Sequence, residues 1–189
     1  MTIVVAVTGG IGSGKSTFSN EVKKRGLKLL DSDEEVLQIY KKPTKEFLKY
    51  LVKIKLGKSI KEKRINKNYI SKIIFSNKDI KLKLEKYIFK IIRENRKKFI
   101  KKEKKRKTKI IFLDIPLLFE NNLSKNFDIV ITILSLKKER YKRINNTRNM
   151  SKELFNKIIK NQTTDLVRKN NSDIIIKNNN TLKLYLKKI

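Results

Sequence analysis

Residues 9–17, Gly-Gly-Ile-Gly-Ser-Gly-Lys-Ser-Thr, constrain this chain more than any other stretch, because an apolar, β-branched run at residues 3–7 leads straight into them. Gly9-x-x-x-x-Gly14-Lys15-Ser16 satisfies the Walker A pattern, and the setting that pattern requires, a strand before and a helix after, is present. Each residue type answers a physical need. Glycines admit positive φ and let successive backbone N–H groups approach phosphate oxygens. A helix beginning near Lys15 adds its dipole and its free amides. Lys15 is placed to reach the β- and γ-phosphates of a nucleotide, and the Ser16 hydroxyl to join Mg2+. Four of the six glycines in the chain lie in this loop, which argues against an incidental glycine-rich turn. Gly10, Ile11, Gly12, Ser13, Gly14, Lys15, Ser16 and Thr17 are the expected nucleotide-binding residues.

Beyond the loop, residues 16–25 read as a helix, with Phe18 and Val22 at i, i+4 spacing and Gly26 as its stop signal. Residues 27–30 read as a second strand, ending at Asp31-Ser32-Asp33. Strand, loop, helix and strand in about 30 residues open an α/β fold with a parallel sheet. From residue 34 to 107 the apolar residues recur at helical spacing instead: Val36, Leu37 and Tyr40, then Phe47, Leu48, Leu51 and Val52, then Ile70, Ile73 and Ile74. This stretch reads as a mostly helical insertion, with residues 101–109 as the solvated basic end of a long helix. Residues 110–113 and 128–134 return to core strands. Residues 137–147 and 151–162 read as helices, the second capped by Ser151. Residues 173–176 read as a last short strand and 182–186 as a terminal helix.

Composition limits the chemistry. With no Cys there are no disulfides or thiolate metal sites, and with no His the commonest general base is missing. Acid–base work falls to Asp, Glu, Lys or Tyr. The net charge of +31 suits a polyanionic partner, but the lysines are spread from Lys23 to Lys188 and Asn and Ile are inflated with them. That pattern fits an A/T-biased genome, so no specific nucleic-acid partner is expected. No run of about 18 apolar residues indicates a membrane span. Residues 2–8 are too short for the apolar region of a secretion signal. The expectation is a cytoplasmic protein, with oligomeric state left open.

Carboxylates that end strands narrow the function. Asp31 and Asp33 close the second strand and Asp114 closes a core strand, at the edge where loops converge on ligands in parallel sheets. A catalytic base and a Mg2+ ligand belong there; a helix cap at Asp31 or Asp33, or a turn at Asp114, are the plainer alternatives. No Asn-Lys-x-Asp base-reading motif follows the later strands, which disfavours a GTPase.

Residues 7–17, Asp31-Ser32-Asp33, the Pro-Leu-Leu-Phe-Glu element at residues 116–120 and a closing Gln162, Asp173, Ile175, Ile176 and Asn178 occur together in order. In this the chain resembles the dephospho-coenzyme A kinases from end to end. The resemblance implies a three-layer P-loop fold with a parallel sheet, a helical acceptor-binding insertion and a small helical lid. The core would be residues 1–33, 108–136 and 173–189, the insertion 34–107 and the lid 137–172. It implies ATP and dephospho-coenzyme A as small-molecule substrates, and Mg2+ as cofactor. Asp33 would take the proton of the ribose 3′-hydroxyl, Lys15 and Ser16 would hold phosphates and Mg2+, and Asp114 would be the second metal ligand. Arg140, Arg143 and Arg148 look like lid arginines, with Arg140 and Arg148 as the catalytic pair, and Asn178 would lie near the adenine. The chain departs from the family pattern at Phe89-Lys90, where a His-Pro pair is usual, and at Ser172 and Lys177. Another small-acceptor P-loop kinase, such as a nucleoside monophosphate kinase, is the alternative; a non-catalytic nucleic-acid binder is the more distant one.

Overall fold

The near-continuous apolar runs become parallel strands because such strands are covered on both faces and need no polar side. A computed structural model describes residues 1–62 and 64–189. In chain order its first elements are β1 (Ile3–Thr8), α1 (Lys15–Lys24) and β2 (Lys28–Asp31). The next are α2 (Ser32–Lys41), α3 (Lys45–Lys53), β3 (Ile60–Lys61), β4 (Arg64–Ile65), α4 (Lys67–Ser76) and α5 (Lys78–Lys105). Then follow β5 (Ile110–Asp114), β6 (Ile129–Leu134), α6 (Lys137–Arg148), α7 (Lys152–Lys160), α8 (Asp165–Asn170), β7 (Ile174–Lys177) and α9 (Leu182–Leu186).

The chain divides into two compact units, residues 1–31 with 100–189, and residues 32–99. The first is built on one parallel sheet in the order β2-β5-β1-β6-β7. Val5, Val7, Phe112, Ile131 and Ile133 from its strands pack with Phe18, Val22 and Tyr185 from α1 and α9. Two carboxylates tie the beginnings of strands to their neighbours. Asp128 Oδ2 accepts from the Val4 amide at 2.8 Å, and Asp173 Oδ2 from the Val130 amide at 2.7 Å. At the opposite, carboxyl-terminal edge, register sets Asp31 beside Asp114, and Asp114 beside Val7. The loop after β1 therefore emerges next to two strand-ending carboxylates, where parallel sheets bind ligands.

The second unit is helical, with the small antiparallel pair β3–β4 within it. The sequence shows no such strands, because two residues are too few for an alternating pattern. Phe47, Leu51, Ile54 and Leu56 bury against Ile70, Leu84, Ile88 and Ile92. Tyr50 stacks on Tyr87 at 3.9 Å between ring centroids, and Phe47 stacks on Tyr87 from 5.7 Å. Thr44 and Asn66 cap α3 and α4 by accepting from the amides of Phe47 and Tyr69. Among the described residues no helix is long and apolar enough to cross a membrane.

Candidate active site

The phosphate loop is a backbone structure, so the first question is what fixes its peptide planes. Gly12 and Gly14 take φ of 73° and 104°, which L side chains rarely adopt. At Gly10 the reason is space: a Cβ there would meet the Arg140 guanidinium, which would have to shift. Gly14 is the N-cap of α1 and offers no side-chain cap, so the first amides of the helix have no intrahelical acceptor. Those amides and the helix dipole form an anion site.

Four consecutive carbonyls of the loop are held by four donors from the last third of the chain. Arg140 Nε donates to Ile11 O at 2.8 Å, and Arg143 Nη1 to Gly12 O at 3.2 Å. Asn178 Nδ2 donates to Ser13 O at 2.8 Å, and the Tyr185 hydroxyl to Gly14 O at 3.0 Å. In a planar trans peptide the N–H points away from the C=O. Holding these carbonyls back therefore turns the amides of Gly12, Gly14 and Lys15 to the other side. The Ile11 amide is itself held, donating to Gln162 Oε1 at 3.0 Å.

Lys15 reaches across to the neighbouring strand end: its Nζ lies 2.6 Å from Asp114 Oδ1. The Ser19 hydroxyl donates to Asp114 Oδ2 at 2.9 Å. Asp114 is only 3% exposed, and that burial raises its pKa above the usual carboxylate value, against the opposing pull of Lys15 and Ser19. Loop lysine, strand-end carboxylate and α1 thus form one connected polar cluster.

Behind the loop runs a second network. Glu120, the last residue of the Pro-Leu-Leu-Phe-Glu element, accepts from the Thr163 amide at 2.7 Å and pairs with Arg168 at 3.2 Å. Arg168, 2% exposed, also pairs with Asp165 at 3.0 Å, and Asp165 meets Arg140 at 3.3 Å. Arg140 is 4% exposed and burial lowers its pKa, with Asp165 opposing. Its Nη2 is buried with no hydrogen-bond partner among the described residues.

The structure therefore gathers the residues of 10–17 and Asp114 at one sheet edge and puts Arg140, Arg143 and Asn178 on the carbonyl side of the loop. Arg140 and Arg143, expected as lid arginines, here spend donors on the loop backbone. Asn178, expected beside the adenine, is buried with its amide on Ser13 O; its own backbone carbonyl accepts from Ser135 and Arg143. Arg148 is exposed as the last residue of α6, followed by the Ser151 cap of α7, which accepts from the Leu154 amide. Asp33 lies in the first turn of α2, two residues past the end of β2. Sequence reasoning missed Tyr185, Asp165, Arg168 and Ser19. The Thr164-Asp165 pair, a cap followed by an acidic first turn, was the one local signal for α8.

The family model for dephospho-CoA kinase matches residues 3–183. The dephospho-CoA kinase of Fusobacterium nucleatum is 34% identical over 166 residues, covering 86% of this chain and 82% of its own. Among solved structures, a dephospho-CoA kinase from Campylobacter jejuni is 28% identical with a TM-score of 0.74, covering 99% of this chain and 93% of that one. A shikimate kinase from Acinetobacter baumannii, 14% identical with a TM-score of 0.53, shares the fold and covers 99% of this chain and 90% of its own.

Proposed function

From the premise that this chain belongs to the dephospho-CoA kinase family, we propose how its own residues divide the work of phosphoryl transfer. Membership makes it an ATP-dependent kinase of coenzyme A biosynthesis. The observation that carries the assignment of roles is the loop itself: four of its carbonyls are tied back, so the amides of Gly12, Gly14 and Lys15 face away from those donors, towards a bound phosphate.

The 3′-hydroxyl oxygen of the acceptor ribose attacks the γ-phosphorus of ATP. The bond from that phosphorus to the β–γ bridging oxygen breaks, ADP leaves, and the hydroxyl proton passes to the Asp33 carboxylate. In a chain without His, a carboxylate is the available base. Lys15 exchanges its ion pair with Asp114 for the β- and γ-phosphates, keeping a positive charge where negative charge shifts in the transition state. The Arg140 charge sits against Gly10 and strengthens the field at the cradle. Arg148, exposed at the end of α6 beyond the residues that hold the loop, is the lid arginine that meets the transferring group.

Mg2+ fits the donors present. The Ser16 hydroxyl and the Asp114 carboxylate offer hard oxygen ligands, and this ion is commonly held by one or two protein groups and the substrate phosphates. Held there, Mg2+ would neutralise charge on the nucleotide phosphates. Residues 32–99 carry the acceptor side, a reading that rests on family membership and on Asp33 belonging to that unit. A cytoplasmic enzyme acting on small molecules completes the picture.

Asp33→Asn tests the division of labour. It should lower kcat by about a hundredfold or more while ATP affinity, measured by calorimetry, stays within a few-fold of wild type. A change confined to ATP affinity would instead make Asp33 a metal-side or structural residue.

A further inference from the structure

The Tyr185 hydroxyl is not needed to satisfy the carbonyl it touches. Gly14 O already accepts the Phe18 amide of α1 at 3.1 Å, and the Tyr185 bond at 3.0 Å is a second one. Nor is the hydroxyl needed to fill space. The ring packs into the sheet core with Val5, Val7, Phe18, Phe112 and Ile133, where phenylalanine would serve equally well. Burying a phenol costs free energy unless its O–H finds a partner. The choice of tyrosine is therefore explained by where the donor points.

It points at the carbonyl of the peptide whose other end is the Lys15 amide. One residue back, Asn178 Nδ2 holds Ser13 O, whose peptide ends in the Gly14 amide. Asn178 is itself fixed, because its backbone carbonyl accepts Ser135 Oγ at 2.6 Å and Arg143 Nη2 at 2.9 Å. Gly14, at φ 104°, lies between the two held peptides and has no side chain to limit its rotation. The Phe18 amide restrains the Gly14–Lys15 plane from the helix side and Tyr185 adds a second hold, while Asn178 holds the Ser13–Gly14 plane.

We propose that Tyr185 and Asn178 are positioning residues that set the direction of the Gly14 and Lys15 amides towards a bound phosphate chain. The C-terminal helix α9 thereby becomes part of the phosphate site without touching the substrate. This rests on the reading of residues 9–17 as a nucleotide phosphate cradle. Burial pushes the Tyr185 phenol well above its ordinary pKa, so it remains a donor through the physiological range.

The test is Tyr185→Phe in the full chain, which keeps the ring and removes the donor. Three quantities are compared with wild type: calorimetric affinity for inorganic tripolyphosphate and for ATP, KM for each substrate, and the thermal midpoint. The expected result is a loss of about three- to tenfold in tripolyphosphate and ATP affinity, the size of one hydrogen bond. The KM for dephospho-coenzyme A should not change. Asn178→Ala should show the same phosphate-selective loss. A purely structural tyrosine would lower the midpoint while leaving phosphate affinity at the wild-type value, and that result overturns the proposal. If wild-type protein transfers nothing to dephospho-coenzyme A, the acceptor reading fails, and the tripolyphosphate comparison still decides this one.

Discussion

Both units of this chain have apolar cores, but the phosphate loop of the sheet unit is held in a different way from the helical unit, and the difference tracks what each has to keep in place. The sheet unit fixes a loop through directional bonds: four carbonyls in succession, at residues 11 to 14, each receive a side-chain donor. The helical unit is held by apolar burial around Phe47, Leu51 and Leu56, with stacked rings at Tyr50 and Tyr87. Hydrogen bonds weaken steeply with angle, whereas hydrophobic contact has no direction. A phosphate cradle needs its amides aimed, so it is built with the first; a packed helical unit needs only volume and pattern. Changes that remove a donor should therefore cost activity in the sheet unit, and changes of volume should cost stability in the helical one.

The severest break is Lys15→Ala. It removes the cation at the cradle and should lower kcat/KM by about a thousandfold or more, with the far-ultraviolet dichroism spectrum unchanged. Activity within a few-fold of wild type would contradict the cradle assignment. Arg148→Ala should slow kcat by at least about tenfold, as loss of one charge at the transferring group, with little change in KM for ATP. An unchanged kcat returns Arg148 to an ordinary solvated helix end.

The helical unit supplies the contrasting pair. Leu51→Ala empties a fully buried position and should destabilise the fold by about 2–5 kcal/mol in urea titration. Turnover per folded molecule should hold. Leu51→Met keeps the volume and should cost under about 1.5 kcal/mol. If Leu51→Met matched Leu51→Ala, the helical unit would be as geometrically exacting as the loop, and the contrast would dissolve.

The same contrast explains what could be read from the sequence. The cradle was legible because its requirements are local: glycines where φ is positive or space is lacking, and Lys-Ser at a fixed offset, all within nine residues. The strands of the sheet were legible from apolar runs, and Asp114 from its place at the end of one. The restraints behind the loop were not. Arg140, Gln162, Asn178 and Tyr185 lie far from the loop in sequence, and meet it through the order β1-β6-β7. Nothing in the spacing of a buried tyrosine says that its hydroxyl faces a glycine carbonyl. Family resemblance pointed to Asn178, Arg140 and Arg143 as substrate-side residues, and it gave no sign that each also donates to a carbonyl of the loop. Glu120 was visible as part of a motif, but its role, pairing with Arg168 and holding the Thr163 amide, depends on partners distant in sequence that only the fold brings to it.

The cradle feeds a phosphoryl group to the ribose 3′-hydroxyl of dephospho-coenzyme A. Purified protein incubated with ATP, Mg2+ and dephospho-coenzyme A, with the product resolved by phosphorus NMR, tests it most directly. A new 3′-phosphomonoester signal should appear in step with ADP. No such signal with dephospho-coenzyme A, alongside turnover of a nucleoside monophosphate under the same conditions, would contradict it.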